Sequence, residues 1–258
     1  TKEYYINDYG NQIHMFAKSV YARLLEIKEN IKFPLDQGLY PGDYLKDIAH
    51  NLIQKNAIKD LSDYDLIKDD IGTMAMREAM VMIKSDLLSL GIKHDLFVSE
   101  KELVGKDLVA KTIKILDEKD CIYEGILPKP KGNDNEEWEE RNQLLFKSTK
   151  FGDDVDRALK KSDGTWTYFA NDVAYHAYKL ERKFDKYINV LGADHSGYLK
   201  RLKACMDALS DFKTDFECKV CQLVKLFKSG EPYKMSKRAG DFITAKELVE
   251  AVGVDAVR

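Results

Sequence analysis

The chain has 258 residues, 44% of them hydrophobic, enough for one large core or two smaller ones. Its 33% charged residues balance to a net charge of −3, so there is no overall basic field and any nucleic-acid contact has to be local. Four cysteines in a chain this long do not make a disulfide framework and suit a reducing, cytosolic setting, no apolar run approaches the ~20 residues of a bilayer span, and the start has no signal-peptide pattern.

Residues 3–7 read as a short strand, and Asn7-Asp8-Tyr9-Gly10-Asn11-Gln12 as a turn rich in acceptor and helix-capping types. Ile13, Phe16, Ala17, Val20, Leu24 and Ile27 then recur at helical spacing. Pro34, Gly38, Pro41 and Gly42 mark a linker over residues 31–42. A helix follows over about residues 43–55, with Leu45, Ile48, Ala49 and Leu52 inward, and a second over about 70–90, stopped by Gly91. Its methionines (Met74, Met76, Met80, Met82) read as core filler. Residues 92–98 form a strand pattern, and Ser99 with Glu102 has capping-box spacing for a helix to about residue 118. Ile122-Tyr123 and Leu144-Leu145-Phe146 suit a hairpin around an acidic, proline-containing surface loop over residues 128–140. Asp153-Asp154-Val155-Asp156 lacks the calcium-loop pattern, and no metal site is read there.

The second half carries the chemistry. Residues 167–183 are helical, and Tyr168, Asp172, Tyr175 and Lys179 share one face. An aromatic ring and a carboxylate one turn apart suit a planar cation, which the carboxylate binds through two N–H groups while the ring stacks on it. The plain alternative is an ordinary i, i+4 pair. Tyr187-Ile188-Asn189-Val190-Leu191 reads as a buried strand running into Gly192-Ala193-Asp194-His195-Ser196-Gly197 and another helix. That places polar groups at the carboxyl edge of a sheet, where α/β proteins bind ligands. Residues 216–227 read as a strand whose Cys218 and Cys221 point to opposite faces, as spacing i, i+3 requires, and so are a poor metal or redox pair. Lys234-Met235-Ser236-Lys237-Arg238-Ala239-Gly240 follows, a basic glycine-flanked loop whose ammonium groups suit phosphate oxygens. Thr244 and Glu247 have capping-box spacing for a last helix ending at Gly253. A strand begins almost at Thr1 and Asp255 caps a helix just before Arg258, which predicts a piece cut from a longer chain.

Taken in order, these motifs resemble the bacterial type of arginyl-tRNA synthetases, a class I family. The resembling runs are Glu3 to Asp8 with Gly10-Asn11-Gln12, Ser162 to Thr165 through Tyr168, Asp172, Tyr175 and His176, Gly192 to His195, Lys234 to Gly240, and Phe242 to Val257; residues 43–140 match more loosely. The resemblance implies an α/β fold, with a Rossmann-type parallel-sheet catalytic domain interrupted by an α/β connective insertion. Residues 1–33 would end its first half, 34–150 form the insertion and 151–258 the second half. It implies a ligase that activates L-arginine with ATP and Mg2+ and esterifies tRNA(Arg), as a cytoplasmic monomer without a structural metal or a membrane. Tyr168, Asp172 and His195 would bind arginine. Gly192, Asp194, His195, Lys234, Met235, Ser236 and Lys237 would bind ATP, with Lys234 and Lys237 catalytic against the phosphate charge. Asn7 and Gln12 would contact arginine or the tRNA end. The family's His-x-Gly-His string is absent from these 258 residues, so the chain on its own is expected to be inactive. Two other readings share the lysine loop: another class I synthetase, which the carboxylate of Asp172 argues against, and a non-catalytic tRNA-binding paralogue.

Overall fold

The computed structural model describes residues 1–35, 38–128, 140–228, 230–232 and 243–257. The loop Lys234–Gly240 lies outside the described residues, as does the acidic loop over residues 128–140 apart from its two ends. The chain divides into two compact units, residues 1–101 with 225–258 and residues 102–224.

In the first unit, β1 (Glu3–Ile6) leads through the Asn7–Gly10 turn into α1 (Asn11–Glu29). Helices α2 (Tyr44–Gln54) and α3 (Tyr64–Ser89) pack against it. The apolar periodicity of α1 and α2 becomes their shared core, where Val20, Leu24, Leu45, Ile48, Leu52 and Ile71 are fully buried. Helix α3 starts six residues before the sequence suggests. Asp63 caps it by accepting from Asp65 N at 2.9 Å, while its first turns are polar and Leu66 is 80% exposed, so no apolar stripe marks them. It stops as expected: Gly91 takes φ 73°, Gly91 N donates to Leu88 O at 2.9 Å and Ile92 N to Leu87 O at 2.8 Å.

Strand β2 (Leu96–Ser99) is shorter than the pattern suggests and pairs in parallel with β1, Glu3 opposite Leu96 and Ile6 opposite Ser99. The single helix expected next is broken in two, α4 (Glu100–Gly105) and α5 (Leu108–Glu118). Gly105 weakens the helix and Asp107, one of the few residue types at ease there, takes a left-handed φ of 52°. The amino end of α4 is held from across the sequence: the Asp8 carboxylate accepts from Ser99 Oγ at 2.7 Å and Lys101 N at 2.9 Å.

In the second unit, β3 (Ile122–Gly125) and β4 (Gln143–Phe146) form the expected antiparallel hairpin, extended by β5 (Arg157–Ala158). Asp153 and Asp156 serve local structure. Asp153 takes two 2.7 Å bonds from Arg157 and one from Ser148, and Asp156 accepts from Thr149 and Tyr123. Helix α6 (Tyr168–Leu180), strand β6 (Lys186–Gly192), a 3-10 turn (Ala193–Tyr198), helix α7 (Leu199–Ser210) and strand β7 (Asp215–Cys221) complete this unit. Strands β6 and β7 pair in parallel, Lys186 opposite Asp215 through Gly192 opposite Cys221. Tyr187 and Phe216 pack beneath α7 with Leu202 and Met206. The reading of β6 as wholly buried is corrected, since Ile188 is 52% and Val190 66% exposed. Helices cover one face of this two-stranded sheet, so alternate side chains meet solvent among the described residues. Cys218 is half-buried and Cys221 exposed, and all four cysteines are free.

Back in the first unit, β8 (Phe227–Lys228) and β9 (Glu231–Pro232) form a short antiparallel pair. Helix α8 (Ala245–Val252) has the predicted capping box, with Thr244 and Glu247 each bonding the other's backbone, and α9 (Val254–Val257) follows. No described helix is long and apolar enough to cross a membrane.

A half-buried carboxylate between a helix and a strand end

Helix α6 positions the site. Thr167 caps it, accepting from Ala170 N at 3.2 Å while its hydroxyl donates to Ala158 O at 2.9 Å, which ties the helix start to β5. Phe169, Ala170, Val173 and Ala174 enter the core and fix the helix rotation. That rotation leaves Tyr168 81% exposed and sets Asp172 half-buried on the flank.

The 3-10 turn at the carboxyl end of β6 brings Gly192, Asp194, His195 and Tyr198 to the same edge of the second unit. Tyr198 Oη donates to Asp172 Oδ2 at 2.5 Å. No hydrogen bond among the described residues reaches Oδ1. Burial raises the Asp172 carboxyl above its ordinary value, opposed by the Tyr198 bond and the charges of Lys179, His195 and Arg201. Burial raises the Tyr198 phenol too, reinforced by the charge of Asp172 beside it. The Arg201 guanidinium lies over the Tyr198 ring, 4.5 Å from its centroid, and its Nε is buried without a hydrogen-bond partner among the described residues. His195 is exposed, with Nε2 3.7 Å from Asp194 Oδ2. A Cβ at Gly192 would collide with the Asp194 carboxylate, so a larger residue there would displace it.

A polar chain centred on the buried His176 supports the helix. His176 places Nδ1 2.7 Å from the Asp172 carbonyl oxygen and Nε2 2.9 Å from Asn189 Nδ2. Asn189 Oδ1 accepts from Lys179 Nζ at 2.9 Å, which orients the amide. The carbonyl requires a donor at Nδ1 and the amide N–H requires an acceptor at Nε2, so the imidazole is neutral with its proton on Nδ1. Burial, with the nearby Lys179 charge, holds His176 down to about 3. This chain joins α6 to β6 through side chains rather than backbone.

Of the residues read as a site, Tyr168, Asp172, Gly192, Asp194 and His195 lie in the second unit. Asn7 and Gln12 lie exposed in the first. Lys234, Met235, Ser236 and Lys237 are outside the described residues. Sequence reasoning missed Tyr198 and Asn189. Tyr198 stands in the apolar pattern of the α7 region and Asn189 inside a strand, and neither position signals a polar partner 26 or 13 residues away. The arrangement offers one carboxylate oxygen, in surroundings of low dielectric, to a ligand carrying N–H donors and positive charge.

No family model matches the chain. Over its whole length it is 52% identical to an arginine–tRNA ligase of Pelagibacter ubique and 49% identical to one of Wolbachia pipientis, and it spans 45% of the length of each. A Campylobacter jejuni structure described as an arginyl-tRNA synthetase superposes with a TM-score of 0.78 at 34% identity, covering 99% of this chain and 52% of that one.

Proposed function

We propose that this chain, homologous over its whole length to somewhat less than half of arginine–tRNA ligases, carries the arginine pocket and part of the ATP site of such an enzyme. The whole protein would join the arginine carboxylate to the α-phosphate of Mg2+-bound ATP, releasing pyrophosphate, and then pass the arginyl group to the terminal adenosine of tRNA(Arg) with release of AMP. The parallel pairs β1–β2 and β6–β7 support a Rossmann-type reading. On that reading residues 1–33 and 151–258 are the two halves and 34–150 the insertion.

The carrying observation is the Asp172 carboxylate, half-buried, with Oδ2 held by Tyr198, no hydrogen bond to Oδ1 among the described residues, and the exposed Tyr168 ring one helical turn away. Asp172 takes the guanidinium and Tyr168 offers its face. His195, Gly192 and Asp194, at the carboxyl end of β6, line the arginine and adenosine side. Lys234 and Lys237, with Met235 and Ser236 between them, neutralise charge growing on the departing pyrophosphate. Asn7 and Gln12 meet the arginine or the tRNA end. A monomer in a reducing cytoplasm suits four free cysteines and no disulfide.

Arginine and its neutral isostere citrulline separate this reading from a generic amino-acid pocket. The wild-type chain should bind arginine more tightly than citrulline by calorimetry or NMR titration. Asp172→Asn should weaken arginine roughly 30- to 100-fold, the loss of about 2–3 kcal/mol that an ionic hydrogen bond supplies. Equal binding of the two ligands by the wild type would remove the arginine reading. No arginine-dependent ATP–pyrophosphate exchange is expected from the 258 residues alone.

A further inference from the structure

We propose that Tyr198, with Arg201 stacked on its ring, is a positioning residue that gives the Asp172 site its preference for a cationic side chain over a neutral isostere. The inference rests on the proposed arginine pocket and deepens it.

A carboxylate on a helix flank has a broad terminal torsion, so by itself it would present either oxygen in many directions. The bond from Tyr198 Oη to Oδ2 removes that freedom, because the phenol is itself anchored. Its ring packs edge-on against Phe169, centroids 6.3 Å apart, and that ring is buried in the core. With Oδ2 pinned, Oδ1 is the oxygen a ligand meets.

The same bond acts on charge. A phenol hydroxyl donates best to an anion, so it favours ionised Asp172 against the burial that disfavours it. Arg201 reinforces this in two ways. Its cation lies 4.5 Å from the ring centroid, which stabilises the electron-rich face and makes the hydroxyl a stronger donor. Its charge also favours the carboxylate directly. The other charged or titratable groups acting on this carboxyl or its neighbours are Lys179 and His176 on α6, His195 on the 3-10 turn and Cys205 on α7. His176 is neutral, and burial holds the Cys205 thiol protonated. Tyr198 is therefore the neutral donor that fixes geometry and charge together, with Arg201 behind it.

Tyr198→Phe deletes the hydroxyl and keeps the ring on Phe169. In the 258-residue chain, arginine and citrulline affinities are measured across pH 4–8, and the Asp172 side-chain carboxyl is followed by carbon NMR. The variant should weaken arginine roughly ten-fold and leave citrulline within about two-fold. The Asp172 midpoint should rise, because the donor that favours its ionised form is gone, carrying the pH dependence of arginine binding with it. Arg201→Gln, which leaves the phenol in place, should shift the same readouts in the same direction by less. If Tyr198→Phe does not fold, the Arg201→Gln shift decides alone. Equal weakening of both ligands, or an unmoved midpoint, means Tyr198 only fills space and overturns the proposal. A wild-type chain that does not prefer arginine defeats the arginine pocket itself, a result visible in the wild type without any variant.

Discussion

The helical trio of the first unit and the α6–β6–α7 region of the second use their polar groups differently. Around α1, buried polar side chains mostly close on themselves. Arg23 bonds Glu26 and the Pro41 carbonyl at 2.6 Å each, with its guanidinium carbon 3.8 Å from the Phe33 ring centroid, and Lys55 closes on Glu78. Around α6 the chain Lys179–Asn189–His176 is similarly closed, yet it ends at the turn bearing Asp172, whose Oδ1 takes no hydrogen bond among the described residues. The first pattern stabilises a fold. The second holds a carboxylate in surroundings that work against its charge, since burial pushes its carboxyl above the ordinary value.

The largest effect should come from the closed region. Ile48 is fully buried among α1, α2 and α3, and Ile48→Ala should cost about 2–5 kcal/mol in urea unfolding. A loss below about 1 kcal/mol would show that the trio is loosely packed.

Next in size is a pH effect confined to the open region. His176 has a folded value of about 3 against 6.5 in the unfolded chain, so the unfolded state binds the proton first. The stability this group contributes is complete above pH 6.5 and drains as pH falls toward about 3. By about pH 4 the loss is on the order of 3 kcal/mol. Asp172 acts with opposite sign: its raised value makes the folded state bind protons more readily, so its contribution grows as pH falls toward 3.8. Unfolding of the wild type and His176→Gln at about pH 7 and 4 tests this. The variant should be the less stable at neutral pH but should lose much less between the two, and parallel losses would remove His176 as the cause.

The smallest effect lies at the joint between β1 and β2. Asp8→Ala removes the acceptor for Ser99 Oγ and Lys101 N and should cost about 1 kcal/mol, with amide exchange accelerated first in α4. Unchanged exchange at Lys101 would mean that the carboxylate does not hold that helix end.

Much of the fold is legible in the sequence. Helices α1, α2 and α6 follow apolar spacing, and the α8 capping box and the Gly91 stop follow local chemistry. Tyr168 and Asp172 are legible as a pair because one helical turn separates them. The start of α3 and the break between α4 and α5 are not, because the first has no apolar stripe and the second depends on Asp107 entering the left-handed region.

Residue order alone therefore determined α1, α2 and α6, the α8 capping box and the Gly91 stop, and set Tyr168 and Asp172 one turn apart, since all of these depend on neighbours within about one or two turns. Tertiary structure decided the rest. It paired β1 with β2 across 93 positions, left Ile188 and Val190 facing solvent, made His176 neutral by burying it, and set Tyr198 against one oxygen of Asp172 while no described residue bonds the other. Burial and hydrogen bonding between distant segments set charge and orientation, and neither is written in local spacing.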